Sequence, residues 1–147
     1  MLNVGAEILD VIRNTWGDRK AYLRGLTQRE EKQEGVDCFA QLSDQARLFA
    51  FQFKPPKSSY ESQPYRYTLV KEQHDLLFEL ARISPTDQPS DCHCVFYVLP
   101  FYVTPKKLQQ YVPHLSRDTW LLPVGQIDPS AQCVRRTKVK SCVLPEC

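Results

Sequence analysis

At 147 residues, with 42% hydrophobic and 24% charged side chains, the chain has the length and apolar content of one folded domain with a single core, which excludes a disordered or fibrous protein. A net charge of +2 is too mild to imply a polyanionic partner by itself, although a locally basic face fits on a nearly neutral protein. The opening "MLNVGAEILDVIRNTW" has no positive leader and carries Glu7 and Asp10 inside its apolar pattern, and the longest apolar run, "CVFYVLPFYV" (Cys94–Val103), contains Pro100 and is too short to span a bilayer. A cytoplasmic protein is expected, with its six cysteines as free thiols.

In chain order, Asn3 is placed to cap a first helix running to about Trp16, with Val4, Ile8, Val11 and Ile12 as its apolar stripe and Glu7 on the border of that stripe. Gly17-Asp18 ends it. "AYLRGLTQ" (Ala21–Gln28) alternates as a first strand, and "REEKQEG" reads as a solvated connection. "GVDCFAQL" (Gly35–Leu42), the turn "SDQA" and "RLFAFQFK" (Arg47–Lys54) read as an antiparallel hairpin, which completes a three-strand meander. "PPKSSYESQP" (Pro55–Pro64) is a polar loop, and Thr68 is placed to cap a second helix through "VKEQHDLLFELARI" with Leu76, Leu77, Leu80 and Ile83 inward. The aromatic and β-branched "CHCVFYVLPFYV" predicts a central strand covered on both faces. "TPKKLQQYV" starts like a short helix with Pro105 at its first position, and "TWLLPVGQI" (Thr119–Ile127) is a late strand or extended segment. From residue 129 the chain becomes basic, with Arg135, Arg136, Lys138 and Lys140. Residues 1–128 are expected to form the domain and residues 129–147 an edge hairpin or tail.

Several site chemistries are weak here. "CHC" (Cys92, His93, Cys94) has zinc-type ligands, but strand alternation turns His93 away from its neighbours and no CxxC pair completes a site, so buried cysteines are the better reading. His74, His93 and His114 belong to no nucleophilic triad signature, and no glycine-rich phosphate loop is present. His74, near the start of its helix, is expected at the surface or as a cap.

The informative feature is the strand end "FAFQFKPP". Period-2 alternation puts Gln52 and Lys54 on one face and Phe53 on the other, just before Pro55 and Pro56 stop the ladder. With Asp37 on the preceding strand and a helix before the meander, the order helix, three strands, helix, strand resembles the PD-(D/E)XK nuclease superfamily, in a QxK variant, over about Asn3 to Tyr102. The resemblance implies an α/β fold, a mixed central sheet with flanking helices, like restriction-endonuclease-like and Holliday-junction-resolvase-like proteins. It implies a site in which Asp37, Gln52, the Phe53 carbonyl and Glu7 hold Mg²⁺ (or Mn²⁺), with Lys54 as the fourth catalytic side chain beside Asp37, Gln52 and Glu7.

The residue types suit that chemistry. Phosphodiester hydrolysis needs charge neutralised on phosphate oxygens, which a hard divalent cation does with one carboxylate and a few other oxygens as protein ligands. Lys54, about 7 Å along the strand from Gln52, is in reach of the attacking water or scissile phosphate. Lys57, Arg66 and Lys71, interleaved with Tyr60, Tyr65 and Tyr67, are candidate nucleic-acid contacts, the bland alternative being tyrosines that pack the loop and charges that are solvated. The expected activity is cleavage of nucleic acid, DNA above RNA, by a homodimer or with a partner protein that supplies specificity. The alternatives are an inactive nuclease-fold binding or protein-interaction subunit, as in a defence or mobile-element system, and a structural domain whose QxK caps a strand.

Overall fold

A computed structural model describes residues 2–42, 48–57, 65–82, 95–101 and 119–136. The elements are α1 (Leu2–Trp16), β1 (Tyr22–Gly25), α2 (Gln28–Glu34), β2 (Cys38–Gln41), β3 (Leu48–Phe53), β4 (Tyr65–Thr68), α3 (Lys71–Arg82), β5 (Val95–Pro100), β6 (Thr119–Pro123), a 3₁₀ turn (Val124–Gln126) and β7 (Cys133–Arg136). The fold is α/β, as the sequence implies. Its main sheet is mixed and ordered β1-β2-β3-β5-β6, with β3 parallel to β5 and every other neighbouring pair antiparallel.

Alternation along the central strands separates two apolar layers. Phe49 and Phe51 of β3 and Phe96 and Val98 of β5 face α1, which contributes Val4, Ile8 and Ile12. Ala50 of β3 and Val95, Tyr97 and Leu99 of β5 face the opposite layer with Leu77 of α3. Val95 through Leu99 are all buried, as a strand covered on both faces requires. Val11 is at the rim of the α1 face and 37% exposed, so the working stripe is Val4, Ile8 and Ile12.

Asn3 lies inside α1 rather than capping it, and Leu76, expected inward on α3, is 43% exposed, so Leu77 is the buried leucine there. Three further local expectations change. "REEKQEG" is the helix α2 rather than a connection: Thr27 and Glu30 form a reciprocal capping box, Arg24 pairs with Glu30 at 2.7 Å, and Gly35 ends the helix in the left-handed conformation at φ 73°. This helix buries no side chain, so it has no apolar period to read. Thr68 lies in β4 and not at a helix cap, because Tyr65 and Tyr67 alternate inward on that strand while Arg66 faces out. His74 is fully buried rather than at the surface.

Strand β4 pairs with β7 in a second, two-stranded sheet, and Val134 packs against the α3-side core together with the buried Tyr65 and Tyr67. Part of the basic stretch after residue 128 is thereby tied to the body of the fold. The "SDQA" turn, Tyr60, Ile83, the "CHC" cluster, Tyr102, the "TPKKLQQYV" segment, His114, Lys138 and Lys140 lie outside the described residues. Among the described residues no helix is long and apolar enough to cross a membrane.

Candidate functional site

The site is at the end of β3 on the face toward α3. Strand β2 begins at Cys38, paired with Phe51, so Asp37 stands one residue ahead of the ladder. Its backbone is nevertheless fixed from both sides: its N–H donates to the Phe51 carbonyl at 2.9 Å, and its carbonyl accepts from Leu26 N–H at 3.0 Å. Gly35 sets the approach, since its left-handed turn, two residues before Asp37, ends α2 at Glu34.

The Asp37 carboxylate reaches across to the end of β3. Its Oδ2 accepts from Phe53 N–H at 2.6 Å and from Gln52 Nε2 at 2.9 Å. Gln52 Nε2 also faces the Phe53 carbonyl at 3.3 Å. Two oxygens, one carboxylate and one backbone carbonyl, thus converge on a single amide nitrogen. Gln52 itself is only 4% exposed, and its Oε1 has no hydrogen-bond partner among the described residues. A buried carbonyl oxygen without a donor is costly, and such atoms concentrate where a ligand completes the arrangement.

Lys54 continues the same face. Its backbone N–H joins β3 to β5 through the Val98 carbonyl at 3.0 Å, and its ammonium donates to Gln73 Oε1 on α3. Burial pushes the Asp37 carboxyl above its ordinary range, opposed by the Phe53 and Gln52 hydrogen bonds and by the Lys54 charge. Burial also lowers the Lys54 ammonium, opposed by Asp37. The neighbouring Cys38 thiol, desolvated and beside Asp37, is pushed up to about 12, which leaves it a packing residue rather than a nucleophile.

The structure therefore brings together Asp37, Gln52, Phe53 and Lys54, and adds Gln73, which the sequence did not single out. Gln73 precedes the buried His74 and lies over Gly35, where a Cβ would meet its carbonyl oxygen at 3.5 Å and Leu76 Cβ at 3.3 Å. Only the sequence position of Gln73 in the first turn of α3 was available beforehand, and nothing there distinguishes it from other helix glutamines. Glu7 is half-buried on α1, the helix on the opposite face of the sheet, and is not among the groups that hold or shift Asp37. Lys57 and Arg66 are exposed, whereas Lys71 is exposed but paired with Asp75 at 2.8 Å. Tyr65 and Tyr67 are core residues, with the Tyr67 hydroxyl donating to the Pro100 carbonyl at 2.8 Å, so neither offers a ring to a base.

Beside the site, Tyr97 is the register partner of Gln52 on β5 and contacts His74 Nδ1 through its hydroxyl at 3.2 Å. His74 Nε2 lies 3.2 Å from the Asp128 carbonyl, which only accepts, so Nε2 carries the proton and Nδ1 accepts from Tyr97. Burial pushes the Tyr97 phenol up, in keeping with a neutral donor in this bond. These bonds tie α3, and with it Gln73, to β5 and to the turn after β6.

No family model matches the chain, and comparison with curated proteins and with solved structures gives no match. Among the described residues, no group of three or more His, Cys, Asp or Glu side chains is gathered as a metal cluster. The nuclease resemblance accordingly rests on the element order and on the four residues at the end of β3.

Proposed function

We propose that this protein is a metal-dependent nuclease that hydrolyses phosphodiester bonds, with DNA as the first substrate to test. The observation that carries the reading is the meeting of the Asp37 carboxylate, the Phe53 carbonyl and the Gln52 carboxamide at one strand end, with Lys54 next on the same face. The donors fit a hard divalent cation in type: a carboxylate oxygen and a carbonyl oxygen already converge, and the orphaned Gln52 Oε1 supplies a third oxygen once the amide turns over about its last torsion. Asp37, Gln52 and Phe53 would hold Mg²⁺ or Mn²⁺. When bound, the cation would neutralise charge on the phosphate oxygens and lower the pKa of a bound water.

The protein's own part is positional and electrostatic. Lys54, desolvated and steered by Gln73, places a cation beside the scissile phosphate and exchanges a proton with the attacking water or leaving oxygen more readily than an ordinary ammonium. Asp37 must be ionised to serve as a ligand, and its raised pKa makes cation uptake increase with pH through that value. Glu7, across the sheet, is assigned no direct ligand role.

One observation favours a second reading. The Gln52 amide hydrogens already satisfy the two oxygens that a cation would use. A nuclease fold kept as a nucleic-acid-binding or protein-interaction subunit would look like this. Incubation of the purified protein with Mn²⁺ and single-stranded, double-stranded and branched DNA separates the two. The nuclease reading expects cutting that Lys54→Ala lowers at least a hundredfold and Glu7→Gln leaves within a few-fold, the scale of lost electrostatic stabilisation. Intact DNA in every arm, with Lys54→Ala indistinguishable from wild type, would favour the binding subunit.

A further inference from the structure

The two-stranded sheet carries a charge arrangement that the core does not explain. In the β4–β7 ladder Arg66 stands directly opposite Arg135, and both are exposed. The hydrogen bond from Leu69 N–H to the Gln132 carbonyl, 3.0 Å, fixes the phase of the ladder, so Arg66 and Arg135 form a non-hydrogen-bonded pair. The Arg66 carbonyl agrees with this phase, since it points away from β7 and accepts from Lys57 N–H at 2.9 Å. In such a pair the two Cα atoms are roughly 4.5 Å apart, the closer of the two antiparallel spacings.

Like charges directly opposite on a sheet are destabilising. Four described cations have acidic partners, Arg24 with Glu30, Lys71 with Asp75, Arg82 with Glu79, and Arg13 with Asp10, whereas the exposed Arg19, Lys20, Arg29 and Lys32 have no ion pair among the described residues but also stand opposite no like charge in a ladder. Among the described residues Arg66, Arg135 and Lys57 have no acidic partner either. The opposite side of the ribbon is occupied by Tyr65, Tyr67 and Val134 against the core, so the arginines have a rigid base and an open outer face.

We propose that Arg66 and Arg135, flanked by Lys57, form a clamp for the phosphates of a nucleic-acid backbone. Two guanidinium forks side by side match phosphate oxygens in shape as well as charge, and the anion removes the repulsion that the free ribbon carries. Lys57 is three residues beyond Lys54, at most about 11 Å of extended chain, so the cationic row starts close to the end of β3. The clamp reads backbone, not bases, and leads the strand toward the site. The choice of a nucleic acid as the polyanion rests on the nuclease reading.

The test is fluorescence anisotropy with a labelled short duplex and the matching single strand, in EDTA so that nothing is cut. Arg66→Gln with Arg135→Gln is expected to weaken duplex binding at least tenfold and to reduce the slope of log K against log salt by about 1.8, the loss of two phosphate contacts. Arg135→Glu turns the repelling pair into an attracting one, so binding should be lost while the thermal midpoint rises. Wild-type affinity and slope in the double variant would overturn the clamp, as would no binding of either DNA by the wild type, or loss of binding in Arg135→Glu only with a lowered midpoint. The two readings fail separately. A wild type that binds through the ribbon but never cuts leaves the clamp and removes the nuclease; one that cuts while the ribbon variants bind normally does the reverse.

Discussion

Asp37 is the residue on which structure and chemistry pull in opposite directions. Both of its hydrogen bonds go to one oxygen, Oδ2, so an asparagine keeps them while removing a half-buried charge. Asp37→Asn should therefore stabilise the metal-free protein at neutral pH by about 0.5–2 kcal/mol, the usual gain when a functional charge is given up. The sign with pH follows from the raised folded-state pKa. Protonation is favoured in the native state, so the stability contributed by Asp37 is fully present below the unfolded value of 3.8 and is lost as pH rises through the folded value. Thermal melts across acid to neutral pH should show the wild type closing on Asp37→Asn as pH falls. A constant gap would mean that burial does not govern this carboxyl. Lys54 acts in the other direction: its lowered folded pKa costs stability at low pH and releases it as pH rises through that value toward 10.5. Gln52→Glu sharpens the same point, because it sets a second carboxylate beside Asp37. Without metal it should lower stability by about 3–5 kcal/mol, the range for an uncompensated buried charge, and Mn²⁺ should raise its melting temperature more than that of the wild type. Equal Mn²⁺ shifts in the two proteins would argue against Gln52 as a ligand.

At the scale of elements, α2 and its two ends decide whether Asp37 arrives in place. Thr27→Ala removes the capping box and should cost about 1 kcal/mol with little effect beyond α2. Gly35→Ala meets two obstacles at once, a left-handed φ of 73° and a Cβ 3.3 Å from Leu76 Cβ. It should cost more than the roughly 1 kcal/mol of an αL alanine, and it should shift the Gln73 and Lys54 signals in an NMR spectrum, because Gln73 lies over the same turn. Thr27→Ala should leave those signals unmoved. Sequence reasoning missed α2 for a physical reason: a helix that buries nothing has no periodicity, and only its capping box and terminal glycine mark it. It misplaced Thr68 for the opposite reason, since β4 is held by long-range pairing with β7 that no local pattern announces.

Across the whole molecule, the strands of the main sheet were legible because β3 and β5 are buried on both faces and read as apolar runs, while the polar ends of β3 stood out against them. Gln52 and Lys54 were legible as one face because alternation fixes the face of a strand side chain, while Asp37 and the Phe53 carbonyl entered only through the resemblance to the nuclease order. Gln73, the buried Tyr97–His74 bond and the Arg66–Arg135 pair were not legible, because each joins segments whose proximity is set only by the tertiary fold. The ribbon also tests how the later chain is tied in. Truncation after Gln132 removes β7 and uncovers Tyr65 and Tyr67, so the urea midpoint should fall by an amount equivalent to about 3 kcal/mol or more, the scale of exposing two large apolar side chains. An unchanged midpoint would make β7 a passive edge. The central claim, that the end of β3 is a divalent-cation site, is tested most directly by calorimetric titration of Mn²⁺ into the wild type and Asp37→Ala at neutral pH. One saturable site in the wild type that disappears in the variant is the predicted result; no site in the wild type, or the same site in both, would contradict it.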